Sequence, residues 1–158
     1  MEIGLFIGRF QPFHLGHLSV IRQALSQVDF LIIGLGSSQC SRTPDNPFTA
    51  AERRAMIEGS LADEGIPAGR FRIVEIPDIH DDPKWPAHVR SLAGEFDVVF
   101  TGSEHTQKLF EEYENTEIQT IEFELNISAT KIRKKIAEKK EWQNDVPQAT
   151  RDIMLRLI

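Results

Sequence analysis

The sequence predicts an α/β protein with a doubly wound parallel sheet of about five strands, flanked by helices and followed by a C-terminal helical segment. Apolar runs of strand length alternate along the chain with segments in which apolar residues recur at helical spacing. That alternation is typical of βαβ units. The length of 158 residues is typical of one domain with one core, so we expect residues 1–158 to form a single domain.

The first strand and helix follow from the apolar pattern of the first 28 residues. Residues 3–7 are an uninterrupted apolar run, as expected for a buried parallel strand. The next segment predicts a helix, because its apolar residues share one helical face. This face consists of Leu18, Ile21, Leu25 and Val28. A second strand covers 30–35, and a polar loop rich in turn-forming residues covers 36–47.

The later elements are predicted from caps and further apolar runs. Thr49 and Glu52 have the spacing of a capping box, so a helix begins there and ends at about Glu64, before Gly65 and Pro67. Further strands are predicted at 71–76, 96–100 and about 118–123. Further helices are predicted around Trp85, Val89 and Leu92, over 103–113, around Ile132 and Ile136, and from Pro147 onward.

Composition excludes several classes of protein. Hydrophobic residues make up 41% of the chain and charged residues 27%, as in ordinary globular proteins. The net charge of −6 disfavours binding to nucleic acid. No apolar stretch approaches the roughly 20 residues that cross a bilayer, and the N-terminus does not resemble a signal peptide. With Cys40 as the single cysteine, an internal disulfide is impossible, and we expect a cytoplasmic protein that binds no membrane.

A first candidate site lies in the sequence Gly-Arg-Phe-Gln-Pro-Phe-His-Leu-Gly-His, between the first strand and the first helix. Gly8 and Gly16 allow the backbone to approach a ligand closely. A helix N-terminus offers N–H groups and a partial positive charge to an anion. His14 and His17 share one face of that helix end, and Arg9 adds a guanidinium. These residues predict a phosphate site.

Two other interpretations of this segment remain open. The histidines would be capping or surface residues if they served only the helix. They would be zinc ligands if a third ligand lay nearby, but Asp29 is the first acidic residue downstream. We therefore predict no metal ligands among these residues.

A second candidate anion site begins at Ser128. Ser128 and Thr130 stand at a predicted helix start, where hydroxyl and N–H groups bind phosphate oxygens. Arg133 follows about one turn later and points back toward them. The alternative is an ordinary N-cap at Ser128, with the cations over 131–135 forming a solvated helix face.

Together, the H-x-G-H turn and the I-S-x-T-x-x-R helix start resemble the motifs of the nucleotidyltransferase superfamily. The form G-R-F-Q-P-F-H-x-G-H most closely resembles the archaeal-type nicotinamide-nucleotide adenylyltransferases, as do N-P-F-T-A-x-E-R at 46–53 and Trp85 after Pro77, Asp78 and Ile79. The likeness covers nearly the whole chain. It implies a Rossmann-like sheet.

The resemblance implies an enzyme that transfers AMP from ATP to nicotinamide mononucleotide, giving NAD and pyrophosphate. The acceptor phosphate would attack in line, without a covalent enzyme intermediate, and Mg²⁺ would accompany ATP. The resemblance also implies a homo-oligomer, specifically a hexamer.

The resemblance further implies two sets of site residues. The ATP-binding set consists of Gly8, Arg9, His14, Gly16, His17, Ser128, Thr130 and Arg133. Its catalytic members would be Arg9, His14, His17 and Arg133, with His17 acting in the transition state. The nicotinamide-nucleotide set consists of Arg42, Asp78, Ile79 and Trp85.

Several of these roles have structural alternatives. Trp85 would stack on the nicotinamide ring or pack in the core, and Asp78 would bind substrate or shape a turn. Arg42 would replace an arginine that some relatives carry where this chain has Asp45. Arg53 would frame the site, as in the family, or form a surface ion pair.

Other functions also remain open. One is a transferase with another acceptor, such as phosphopantetheine, an alcohol phosphate or a flavin nucleotide, against which Trp85 argues. Another is a non-catalytic module that senses NAD or ATP. A sensor is expected to have lost a phosphate-binding cation, whereas Arg9 and Arg133 are both present. Many relatives have asparagine where this chain has Ser103, which affects the contact with the nucleobase.

Overall fold

The computed structural model describes residues 1–121 and 125–158. Its centre is a parallel sheet of five strands, β1 Ile3–Gly8, β2 Phe30–Gly36, β3 Phe71–Ile76, β4 Val98–Thr101 and β5 Glu117–Thr120. The strand order is β3-β2-β1-β4-β5, so the chain winds outward in both directions from β1. The predicted α/β, Rossmann-like class is confirmed. Ligands of such sheets bind at the carboxyl ends of the strands, where the order reverses, here between β1 and β4.

Helices cover both faces of this sheet. They are α1 Leu15–Leu25, α2 Ala50–Asp63, α3 Trp85–Ala93, α4 Glu104–Tyr113, α5 Ala129–Ala137 and α6 Gln148–Leu157. Within the described ranges, each helix is too short or too polar to cross a bilayer.

Side chains alternate between the two faces along each strand, and this alternation builds two cores. In β1, Phe6 joins a cluster with α1, α2, α5 and α6, whereas Leu5 joins a cluster with α3 and α4. Both side chains are almost fully buried. The sheet is therefore covered on both sides, as the continuous apolar strands predict.

Most differences from the predicted boundaries are small. The predicted strand 71–76 is confirmed without change, but Phe123, at the end of the predicted fifth strand, lies outside the described residues. Helix α1 ends at Leu25, yet Val28 is buried in the same hydrophobic cluster as Leu18 and Ile21, and its N–H still bonds the carbonyl of Ala24 at 3.0 Å. In the helix predicted around Trp85, Val89 and Leu92, Val89 is fully buried, whereas Leu92 is 40% exposed.

Arg53 of α2 is a fully buried residue that holds three segments together. Each of its five N–H groups donates to a different backbone carbonyl, at 2.9–3.2 Å. The acceptors are the carbonyls of Arg9, Gly36, Ser37, Cys40 and Thr49. Burial lowers the pKa of this guanidinium. Of the two interpretations of Arg53, the structure excludes the surface ion pair.

Replacing Arg53 with lysine should lower the free energy of unfolding by about 2–4 kcal/mol, because an ammonium leaves at least two buried carbonyls without donors. Urea unfolding monitored by circular dichroism measures this change. The matched control is Arg54→Lys on the same helix. Arg54 is partly exposed and makes two long ion pairs, at 3.7 and 3.9 Å, and one long hydrogen bond to the carbonyl of Ile73, at 3.4 Å, so its change should stay within about 0.5 kcal/mol. Equal losses in the two variants would contradict this role for Arg53.

Candidate active site

Two adjoining cavities open at the carboxyl ends of the strands. We call the first the histidine cavity. It has a volume of about 600 Å³, and its lining includes Gly8, Arg9, His14, His17, Ser128, Thr130 and Arg133. We call the second the tryptophan cavity. It has a volume of about 560 Å³, and its lining includes Asp78, Ile79 and Trp85. The two cavities share Ile7, Gly8, Arg9 and Ser103, so they form neighbouring parts of one cleft.

His14 and His17 form a reciprocal cap at the start of α1, in which the ring of each accepts a hydrogen bond from the backbone N–H of the other. Nδ1 of His14 accepts from the N–H groups of Gly16, at 3.0 Å, and His17, at 3.3 Å. Nδ1 of His17 accepts from the N–H of His14 at 3.1 Å. The two rings stack with centroids 3.6 Å apart. The capping interpretation and the functional interpretation are therefore compatible, since both residues also line the histidine cavity.

The helix N-terminus differs in one respect from the sequence-based expectation. The N–H groups of Gly16 and His17 were expected to be free for phosphate, but both are bonded to the imidazole of His14. Gly16 is buried and is not part of the cavity lining. The side chains of the histidines, rather than the N–H groups of those two residues, face the cleft.

The capping bonds also determine where each neutral ring carries its proton. Because Nδ1 accepts, the proton is on Nε2, which becomes a donor. Burial lowers the pKa of His14 to about 4, with a weaker opposing effect of Asp145. Burial, and then the neighbouring His14, hold the pKa of His17 well below its usual value. Both rings are therefore neutral Nε2–H donors at neutral pH.

The second motif begins α5 and is tied directly to the first. Ser128 caps α5 by accepting the N–H of Lys131 at 3.1 Å. Arg133 lies near Thr130, whose hydroxyl oxygen is 3.4 Å from its Nη2. Nη1 of Arg133 donates to the carbonyl of Gln11, within the first motif, at 2.8 Å. A single hydrogen bond thus joins segments 122 residues apart in sequence.

The electrostatics of the histidine cavity favour an anion. Burial lowers the pKa of the Arg133 guanidinium, and repulsion from Arg9 lowers it further, against a weaker effect of Asp45. Arg9 is exposed, and the only hydrogen bond of its side chain among the described residues is one of 3.3 Å to Oδ1 of Asn46. A ligand with several negative oxygens would relieve the repulsion between the two guanidinium groups.

The tryptophan cavity joins an aromatic wall to an acidic rim. Trp85, the first residue of α3, contacts the ring of Phe110 edge to face, with centroids 5.6 Å apart. It therefore packs against the core on one side and lines the cavity on the other. Asp81 and Asp82 also line this cavity, and the sequence interpretation did not include them. In the sequence, Asp81 and Asp82 stand in a short polar segment with Pro83 and Lys84, which is equally typical of a surface turn, so no local pattern marked them as site residues.

Three cavity residues have a left-handed backbone conformation that the sequence did not reveal. Phe10, Ser37 and His80 follow β1, β2 and β3, and their φ angles are +56°, +48° and +53°. Each lines one of the two cavities. Such conformations cost on the order of 1–3 kcal/mol each in residues other than glycine and persist where surrounding contacts impose them. Because none of the three is a glycine, composition provided no signal.

The structure does not bring Arg42 to either cavity lining. Its guanidinium bonds both carboxylate oxygens of Glu52, at 2.7 and 2.8 Å, and the carbonyl of Pro47 at 3.0 Å. Ser103, in contrast, lines both cavities and caps α4 through the N–H of Thr106, at 3.2 Å. Across the described residues, no group of three or more acidic, histidine or cysteine side chains is arranged to hold a metal ion.

Comparisons with known proteins agree with this architecture. A family model described as cytidylyltransferase-like matches residues 5–135. A nicotinamide-nucleotide adenylyltransferase of Thermococcus sibiricus is 41% identical over 147 residues, which cover 92% of this chain and 79% of the relative. A relative of the same name from Archaeoglobus fulgidus is 39% identical over 153 residues, covering 94% of this chain and 88% of the relative.

A solved structure matches as well. It is a bifunctional NMN adenylyltransferase/ADP-ribose pyrophosphatase from Francisella tularensis, in complex with AMP and a manganese ion. The TM-score is 0.82 at 26% sequence identity, and the match covers 99% of this chain and 49% of that longer one. These matches confirm the family resemblance that the sequence predicted. The chain belongs to the cytidylyltransferase-like family and, within it, to the nicotinamide-nucleotide adenylyltransferases.

Proposed function

We propose that this protein transfers the adenylyl group of ATP to nicotinamide mononucleotide, giving NAD and pyrophosphate. The observation that carries the proposal is the histidine cavity, where both sequence motifs meet and Arg133 bonds the carbonyl of Gln11 at 2.8 Å. A second cavity, with Trp85 in its wall, adjoins it through Gly8 and Arg9. The names of the archaeal relatives support the same activity.

ATP binds in the histidine cavity. The Nε2–H groups of His14 and His17 donate to phosphate oxygens, and Arg9 and Arg133 supply positive charge. Ser128 and Thr130, at the start of α5, bind the outer phosphates together with the helix N-terminus. This set agrees with the ATP-binding residues expected from the sequence, except that the N–H of Gly16 is already bonded to His14.

Nicotinamide mononucleotide binds in the tryptophan cavity. Its pyridinium ring is cationic, and the indole face of Trp85 attracts such a ring by about 0.5–2 kcal/mol. Asp78, Asp81 and Asp82 line the same cavity and favour positive charge. Arg9 lines both cavities, so it contacts the acceptor phosphate as well as the triphosphate.

The reaction needs no protein nucleophile. An oxygen of the nicotinamide mononucleotide phosphate attacks the α-phosphorus of ATP, and a new P–O bond forms. The bond from the α-phosphorus to the bridging oxygen breaks, and pyrophosphate leaves with that electron pair. The residues orient the two nucleotides and stabilise charge on the transferred group and on the leaving pyrophosphate. His17 donates to the transferred phosphoryl group.

The divalent ion enters with ATP as part of the substrate, and we propose Mg²⁺. Hard divalent ions of this kind are commonly held by substrate phosphates and water with few protein ligands. The described residues fit that arrangement, because they contain no cluster of metal-ligating side chains.

The cytoplasmic location and the hexameric state expected from the sequence stay predictions. Light scattering coupled to size-exclusion chromatography measures the oligomeric state.

The test incubates the purified protein with ATP, Mg²⁺ and nicotinamide mononucleotide and measures NAD and pyrophosphate. Both products should form in equal amounts. Protein that binds ATP but forms no NAD would reject the proposal. Pyrophosphate release with phosphopantetheine, an alcohol phosphate or a flavin nucleotide would then indicate a different acceptor. Binding of ATP and NAD without any turnover would indicate a sensor.

We predict that His17→Ala lowers turnover by a factor on the order of 100, because the transition state loses a charge-stabilising donor. His17→Asn separates this role from helix capping. Its Oδ1 replaces Nδ1 as the acceptor for the N–H of His14, but no donor replaces Nε2–H. Steady-state kinetics should show both variants equally slow, and thermal unfolding should show the asparagine variant closer to the wild type. Wild-type turnover in His17→Asn would remove His17 from the mechanism.

The neutral state of His14 makes stability depend on pH. Its pKa is about 4 in the folded protein, against 6.5 in the unfolded chain, so only the unfolded chain gains a proton between these values. The free energy of unfolding should therefore fall as pH decreases from 6.5 to 4, by up to about 3 kcal/mol from this residue. His14→Asn keeps a capping oxygen but does not titrate. Urea unfolding at several pH values should show a shallower fall in this variant; an unchanged slope would contradict the assignment.

A further inference from the structure

A glutamine in the loop after β2 holds the backbone that forms one wall of the tryptophan cavity. Nε2 of Gln39 donates to the carbonyl of Asp78 at 3.2 Å. The N–H of Asp78 donates to Oε1 of Gln39 at 3.0 Å. The side-chain amide thus binds both polar groups of one backbone residue, as a neighbouring strand would. Gln39 itself is exposed and lines neither cavity.

The residues before Asp78 are held in the same way. The N–H of Ser38 donates to the carbonyl of Ile76 at 3.4 Å. A ring nitrogen of His88, on α3, lies 3.0 Å from the carbonyl of Pro77. The carbonyls of Ile76, Pro77 and Asp78 therefore all have hydrogen-bond donors. These bonds fix the backbone at Asp78, where the chain begins to line the tryptophan cavity.

Gln39 is itself held from the core. Nη2 of the buried Arg53 donates to the carbonyls of Ser37 and Cys40, each at 3.2 Å. These two carbonyls lie on either side of Gln39 in the sequence. Hydrogen bonds therefore connect α2 to the loop and the loop to Asp78. They hold the loop backbone on both sides of Gln39.

We propose that Gln39 is a positioning residue for the acceptor nucleotide. It sets the distance between the wall formed by Asp78 and Ile79 and the ring of Trp85, both of which line the tryptophan cavity. This inference rests on the proposed function, which places nicotinamide mononucleotide in that cavity. Gln39 bonds the backbone N–H and carbonyl of residue 78, so its effect on the position of this wall does not depend on the aspartate side chain.

A positioning role and a purely structural role for Gln39 predict different effects when its side chain is removed. Gln39 and the backbone bonds of Asp78 are at the exposed side of the loop, so water can replace the lost partners. Removing the side chain should therefore affect stability little. ATP occupies the other cavity and should not respond. The expected signature is selective loss of affinity for the acceptor.

The experiment compares the wild type with Gln39→Ala in steady-state kinetics, varying each substrate in turn. We expect the KM for nicotinamide mononucleotide to rise roughly tenfold, because a displaced wall loses part of its contact with the ring. The KM for ATP and the melting temperature should remain close to the wild-type values. Calorimetric titration with nicotinamide mononucleotide alone should show the same weakening without turnover.

Two further variants sharpen the test. Gln39→Glu keeps an acceptor for the N–H of Asp78 but places a carboxylate beside its carbonyl, so it should weaken acceptor binding at least as much. The control is Gln148→Ala on α6. Gln148 is also exposed, and its side chain bonds Asp152 and Arg151 on the surface, at 2.7 and 3.2 Å, so its loss should change neither KM.

The outcomes separate the two proposals. If the wild type makes NAD and Gln39→Ala has unchanged KM values, the role of Gln39 is wrong and the proposed function stands. Equal rises in both KM values, or a large fall in melting temperature, would show a structural role and also overturn the inference. A wild type that neither makes NAD nor binds nicotinamide mononucleotide would overturn the proposed function and this inference with it.

Discussion

The arrangement of the cleft depends on one buried guanidinium. Arg53 uses all five N–H groups on backbone carbonyls, and three of the carbonyls belong to residues that line a cavity. Buried carbonyls without donors are unfavourable, so the loops after β1 and β2 are stable in this conformation only while the guanidinium is present. The bond to Arg53 uses the carbonyl of Arg9, while Arg9 lines both cavities. The bonds to Ser37 and Cys40 hold the loop in which the side chain of Gln39 reaches Asp78.

The two histidines show how one contact serves both folding and chemistry. Helix α1 has no serine, aspartate or asparagine at its N-cap, and the imidazole of His14 takes that place. Capping occupies Nδ1, and burial keeps the rings neutral, so each ring presents Nε2–H. A neutral donor suits a site that also contains two guanidinium groups, because it adds hydrogen bonds without further repulsion between cations.

Topology brings the two anion-binding segments together. The first segment follows β1, where the strand order reverses, and the second lies between β5, at the edge of the sheet, and α5; the carboxyl ends of these parallel strands lie on the same side. The bond from Arg133 to the carbonyl of Gln11 then sets their separation. Gln11 is buried, and its side chain pairs with the backbone of Phe48 at 2.9 Å in both directions. Gln11 is thus bonded to the segment just before α2 and to α5 at once.

The amino-acid sequence by itself determined the α/β class, most strand and helix boundaries, and the two motif segments, because these depend on local periodicity, caps and residue spacing. Of the phosphate-site residues expected from the sequence, all except Gly16 line the histidine cavity, but several other residues of its lining, such as Phe10, Gln11 and Thr101, were not expected. Only the tertiary structure decided that Arg53 is buried, that Arg42 pairs with Glu52 instead of lining the cleft, and that Gln39 reaches Asp78. These outcomes depend on contacts between segments distant in sequence, where one polar side chain has several possible partners and only packing selects among them.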